Sequence, residues 1–101
     1  MHVVIYEFEV KTGVDNKFKE AWEKLTKAYL DHAGSYGSRL HKCHNRNYIA
    51  YAQWPSKESH AIARRKLTNK SRSLLDELRS TCSNVKILCQ LEVLKDYLVH
   101  S

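Results

Sequence analysis

Tyr48-Ile49-Ala50-Tyr51-Ala52-Gln53-Trp54-Pro55-Ser56 decides how this chain folds, because it reads as a strand running straight into a helix start. Residues Tyr48 to Trp54 carry no formal charge and three aromatic rings, which suits a strand covered on both faces. Pro55 has no N–H to offer a sheet ladder and ends it. Ser56 can accept from the free N–H groups of a new helix, and Glu58 adds negative charge near that positive end.

Upstream, Arg39-Leu40-His41-Lys42-Cys43 alternates as a short strand, and the polar tetrapeptide His44-Asn45-Arg46-Asn47 joins it to the central strand as an antiparallel hairpin. Ser35-Tyr36-Gly37-Ser38 is a turn. Before it, Val14, Phe18, Ala21, Trp22, Leu25, Ala28 and Tyr29 fall at steps that place them on one side of a helix reaching about Ala33. Gly34 suits the left-handed position that ends such a helix. The first strand is His2 to Val10. One alternating set, Val4, Tyr6, Phe8 and Val10, is apolar and should face helices; the other, Val3, Ile5, Glu7 and Glu9, turns acidic halfway.

Downstream, Ala61, Ile62 and Leu67, then Leu74, Leu75, Leu78 and Cys82, mark a helix broken around residues 69 to 71. Val85 to Val93 alternates as a last strand with one fully apolar face (Val85, Ile87, Cys89, Leu91, Val93), and the tail from Leu94 extends it. The order βαββαβ is the ferredoxin-like α+β arrangement, an antiparallel sheet with its helices on one face. It makes a single domain over 1–101. The other sheet face, with Val3 and Ile5, calls for a second subunit, so a homodimer with sheets packed face to face is expected.

The composition is that of a globular protein, and no run approaches the roughly 20 apolar residues of a membrane span. With strand-like sequence directly after Met1, a cytoplasmic protein with no membrane partner is expected. Cys43, Cys82 and Cys89 show no paired spacing and are expected as reduced thiols. The formal charge of +6 and the cluster Arg64, Arg65, Lys66, Lys70, Arg72 and Arg79 raise a nucleic-acid partner. The plainer reading is a solvated helix face. RNA-recognition domains of the same strand order stack bases on aromatics two residues apart, whereas Tyr48, Tyr51 and Trp54 are three apart and alternate faces; this argues against RNA.

The run I-A-Y-A-Q-W-P-S-K-E, preceded by Y-G-S-R-L-H-K, resembles the antibiotic biosynthesis monooxygenase family of dimeric α+β barrel proteins. The likeness rests on the element order, the aromatic strand after a polar hairpin, and Trp54, Ser56 and Glu58. It implies a homodimer and, in characterised branches, oxidation of aromatic polyketides or quinols by oxygen without metal or flavin, or cleavage of haem. Two departures bear on function. A quinol-oxidising branch often carries a His nine residues after the Trp, where this chain has Ala63. The haem-cleaving branch uses an Asn on the first strand with a Trp and a His on later helices; here stand Tyr6 and Glu7, and 57 to 82 lacks Trp, which argues against haem.

A cofactor-free oxygenase needs a base to make an electron-rich substrate anion and aromatic walls to exclude water. His60 and His41 are the candidate bases. Trp22, Tyr51, Trp54, Tyr6 and Arg39 are the candidate contacts to a small aromatic substrate, in a pocket between sheet and helices. Each has a plainer reading: the tryptophans as core plugs, the histidines as exposed and idle, Arg39 as a sheet-edge charge. His41, Cys43 and His44 share a short stretch, but His44 falls in the turn and no fourth ligand is evident, so no metal and no cofactor are expected. The rival function is a dimeric domain of this fold that holds a small hydrophobic ligand without catalysis.

Overall fold

The computed structural model describes residues 1–43 and 47–99. Its strands are β1 (His2–Val10), β2 (Gly37–Lys42), β3 (Tyr48–Trp54) and β4 (Cys82–Glu92). The helices are α1 (Asp15–His32), α2 (Lys57–Ile62) and α3 (Asn69–Ser80), with a 3-10 segment (Ala63–Lys66) between α2 and α3. The sheet order is β2-β3-β1-β4, with every neighbouring pair antiparallel. This is the α+β, ferredoxin-like order expected; the break in the second helical region comes earlier than residues 69 to 71, at the 3-10 segment, and Asn69 to Ser71 form the first turn of α3 with Thr68 capping it. In the loop that joins β2 to β3, His44, Asn45 and Arg46 lie outside the described residues.

The junction after β3 is built as its residues suggest. Ser56 Oγ accepts from the Ser59 N–H at 3.1 Å, and Ser59 Oγ accepts from the Ser56 N–H at 3.1 Å. This reciprocal box satisfies two otherwise free donors and stabilises the turn by about 1 kcal/mol. Gly34, at φ +70°, takes the left-handed position just past the end of α1.

The register defines two faces. Tyr6 pairs with Ala50 and Phe8 with Tyr48, so Val4, Tyr6, Phe8, Tyr48, Ala50, Ala52 and Trp54 look toward the helices. The main core sits there: Phe18 of α1, fully buried, lies 5.2 Å from the Phe8 ring and 4.9 Å from Tyr48 between centroids. β3 is not covered on both faces. Its burial alternates, with Ile49, Tyr51 and Gln53 only half-buried on the side away from the helices.

Two further expectations are corrected. β4 has no continuous apolar face, because its register against β1 shifts within the expected strand: Ile5 faces Cys89, yet Tyr6 faces Ile87, and a second shift falls between Glu9 and Val10. Leu88 is the extra residue. Such a bulge turns the strand over, so Val85 and Ile87 join the helix side while Cys89 and Leu91 join the open side. The tail does not extend β4 as strand either. From Leu94 to Leu98 it lies with Met1, Val3, Tyr51 and Leu91 around one cleft on the open face. Val3 is consequently buried within its own chain. Among the described residues no helix is long and apolar enough to cross a membrane.

Candidate functional site

Between the sheet and the helices lies a cavity of about 150 Å³. β1 and β3 give it Tyr6, Phe8, Ala50, Ala52 and Trp54; α1 gives Trp22, Leu25, Thr26 and Tyr29; α3 gives Leu75, Leu78 and Arg79. Arg64 enters from the 3-10 segment. Small side chains make the space. Ala50 and Ala52 sit where the neighbouring strand positions carry Tyr48 and Trp54, so the floor drops between two large rings. An apolar cavity of this size accommodates one aromatic ring.

Tyr6 and His60 meet at its wall. Tyr6 Oη lies 2.7 Å from His60 Nε2. His60 does not line the cavity; Tyr6 does, and therefore stands between the imidazole and anything bound inside. His60 is ringed by aromatics, its centroid 5.5 Å from Trp54 and 6.1 Å from His2. Burial, and then the charge of His2, hold the His60 imidazole below its ordinary pKa. A neutral imidazole accepts the Tyr6 O–H. Tyr6 itself is pushed up to about 12, chiefly by burial, with Tyr29 adding to the rise and Arg64 opposing it. The phenol therefore stays protonated.

Trp54 is 3% exposed, lines the cavity, and packs edge-on against Tyr29 at 5.7 Å. Its Nε1–H has no hydrogen-bond partner, unlike the other buried side-chain donors and acceptors among the described residues. An unmet buried donor costs about 1–3 kcal/mol.

The sequence candidates divide between two places. Tyr6, Trp22, Trp54 and, through Tyr6, His60 come together on the helix side. Arg39, His41 and Tyr51 do not join them: Arg39 pairs with Tyr51 and His41 with Ile49, one step out of phase with the cavity residues, so they belong to the open face. Tyr51 and Arg39 line a separate cleft there with Tyr36, Leu98 and Val99. His41 is exposed, its Nδ1 3.3 Å from the Ile49 carbonyl oxygen. The pocket expected to hold Tyr51 and His41 beside Trp22 and Trp54 is thus two sites, separated by the sheet. Among the described residues no group of three His, Cys, Asp or Glu is placed to hold a metal ion.

Tyr29, Arg64, Arg79 and His2 were not singled out as site residues. Arg79 follows Leu75 by four, a spacing that puts it on the edge of the same helix face; within a basic cluster that signal is easily read as solvent-facing. His2 belongs to the same alternating set as Tyr6, and its Nε2 lies 2.8 Å from Gln90 Oε1.

No family profile matches the chain, and no curated protein sequence does. Solved structures do match. A Nitrosomonas europaea protein provisionally assigned to the antibiotic biosynthesis monooxygenases superposes with a TM-score of 0.76 at 17% identity, over 94% of this chain and 100% of that one. SnoaB, a cofactor-independent oxygenase from Streptomyces nogalater, gives 0.77 at 13% identity, over 95% of each chain. Another antibiotic biosynthesis monooxygenase gives 0.74 at 11%, over 94% of this chain and 100% of its own. The chain therefore has the fold of the antibiotic biosynthesis monooxygenases. At these identities the likeness is one of fold.

Proposed function

We propose that the protein is a cofactor-independent monooxygenase acting on an aromatic or quinol-type small molecule. The Tyr6–His60 hydrogen bond on the wall of an aromatic cavity carries this reading. A substrate hydroxyl or acidic C–H gives its proton to Tyr6 Oη as the Tyr6 proton passes to His60 Nε2. Dioxygen then adds at the activated carbon. For an anthrone-type methylene, the carbon loses two hydrogens and gains one oxygen atom as a carbonyl, and the second oxygen atom leaves as water with those hydrogens. The similar fold of an oxygenase supports the class of reaction.

Ala63 stands where the resemblance would have placed a His in one branch, and it is buried against the cluster of Val4, Ala33, Ala52 and Trp54. No base can act from there, which favours ligand binding without catalysis unless His60 takes the part. Oxygen consumption by purified, metal-free protein with a panel of quinols and anthrones decides between them. Protein-dependent uptake, absent after boiling, is expected. Binding of the same compounds with no uptake would leave a ligand-binding domain.

The protomer is proposed to function as a homodimer through the open sheet face. Leu94, Tyr97, Leu98 and Val99 of the tail are 64–96% exposed, and Leu91 is about half exposed. So much contiguous apolar surface suits a partner subunit. Light scattering should give the mass of two chains, and a single-chain mass at assay concentration would remove this proposal.

A further inference from the structure

We propose that the ligand of the cavity is an aromatic compound bearing an anionic oxygen group, which Arg64 and Arg79 hold at the cavity mouth. This rests on the cavity being the functional site and names what enters it. The interior is lined by Trp22, Leu25, Tyr29, Trp54, Leu78 and Val85, while Arg64 and Arg79 are both exposed and both line it, so they stand where it meets solvent. They come from separate segments, the 3-10 segment and α3, yet the positive charges of both act on the Tyr29 hydroxyl. Both therefore border the same opening from two sides of the chain's fold.

The same pair lines an outer cleft of about 550 Å³ together with Ala61, Arg65, Arg72, Leu75 and Asp76. Four guanidinium groups there face one carboxylate. Among the described residues the ion pairs are Lys24–Glu20, Lys27–Glu23 and Lys86–Glu7, so no ion pair neutralises these arginines. Arg72 Nη2 is occupied in part by the Arg65 carbonyl oxygen at 3.1 Å. A guanidinium fork matches a carboxylate or phosphate in two parallel hydrogen bonds, and its flat face stacks on aromatic rings. One ring of a fused aromatic fills the inner cavity, the next lies between the arginines, and the anionic group meets the forks.

Calorimetric titration with 2-naphthoate, 2-naphthyl phosphate and neutral 2-naphthamide tests this. At least one anion should bind about tenfold tighter than the amide, a gap that one charge-assisted hydrogen bond supplies; whichever anion gains more identifies the head group. The gap should shrink below about threefold in an Arg64→Gln/Arg79→Gln variant, as loss of that bond requires. Should that variant not fold, salt serves instead: added salt should weaken the anions selectively in the unaltered protein. Equal affinity for anions and amide would overturn the anionic ligand while leaving the cavity reading intact. Binding of none of the three would overturn the cavity reading as well. A single-stranded oligonucleotide that binds through Arg64 and Arg79, with naphthoate no better than the amide, would replace the proposal with a nucleic-acid surface.

Discussion

Tyr6→Phe is expected to lower kcat for oxygen uptake by about 10²- to 10⁴-fold, the range for loss of a positioned proton-transfer group, with little change in KM. The substitution removes one oxygen atom and keeps the ring. The ring stacks at 6.1 Å on Phe8 and lines the cavity, so the shape that binds substrate persists. What goes is the cavity-wall hydroxyl that lies 2.7 Å from His60 Nε2. His60→Gln should cost as much, and the double variant no more, because two groups that pass one proton act as a unit. The pH profile separates this from simple structural damage. His60 is held below 6.5, so the neutral base persists into more acidic solution, and the acid limb of kcat/KM should lie below that value. In His60→Gln that limb should disappear.

The same group ties stability to pH. The folded pKa of His60 is depressed, so the unfolded chain takes up the proton more readily. Its contribution is complete above about pH 6.5 and is lost as the pH falls through the folded value. Denaturation midpoints of the natural protein and of His60→Gln should therefore converge on acidification. Full oxygen uptake by Tyr6→Phe would remove the relay altogether.

Much of the architecture could be read before any coordinates, because burial imposes periods that a sequence displays. The set Val4, Tyr6, Phe8 repeats every second residue and does face the helices; Phe18, Ala21, Leu25 and Ala28 repeat every third or fourth and are the buried residues of α1. The misreadings occur where a period fails to carry the information. A bulge at Leu88 leaves residue types unchanged while turning over every later side chain, so Cys89 and Leu91 looked like partners of Val85. The tail has no period at all, and its place over Val3 depends on a surface contributed by other strands.

The site was legible in the same uneven way. Trp22 and Trp54 could be placed beside a cavity by their elements. Tyr6 and His60 were each candidates, but their bond joins residues 54 positions apart and no local pattern encodes it. Tyr51 illustrates the opposite case: it sits three residues from Trp54, and odd spacing on a strand means opposite faces. Tyr51 therefore lies on the sheet face opposite the pocket of Trp54.

The largest loss of stability is expected at Phe18. Phe18→Ala should destabilise the fold by about 3–5 kcal/mol, the range for deleting a buried ring and leaving a hole. Phe18 has no solvent exposure and lies against both Phe8 and Tyr48, so neighbours can collapse into the vacancy only by moving two strands. A domain of this size has about 5–15 kcal/mol in all. Urea titration should show the midpoint fall by a large fraction with an unchanged slope, while Phe18→Leu should lose far less. The consequence extends to function although Phe18 itself does not line the cavity. Phe18 supports Phe8, Phe8 stacks on Tyr6, and Tyr6 reaches His60, so the ring at the centre of the core sets the position of the proton relay. Under conditions where Phe18→Ala is still folded, its kcat should drop more than its affinity for substrate. Unchanged kcat in that folded variant would show that Tyr6 is held by the sheet alone.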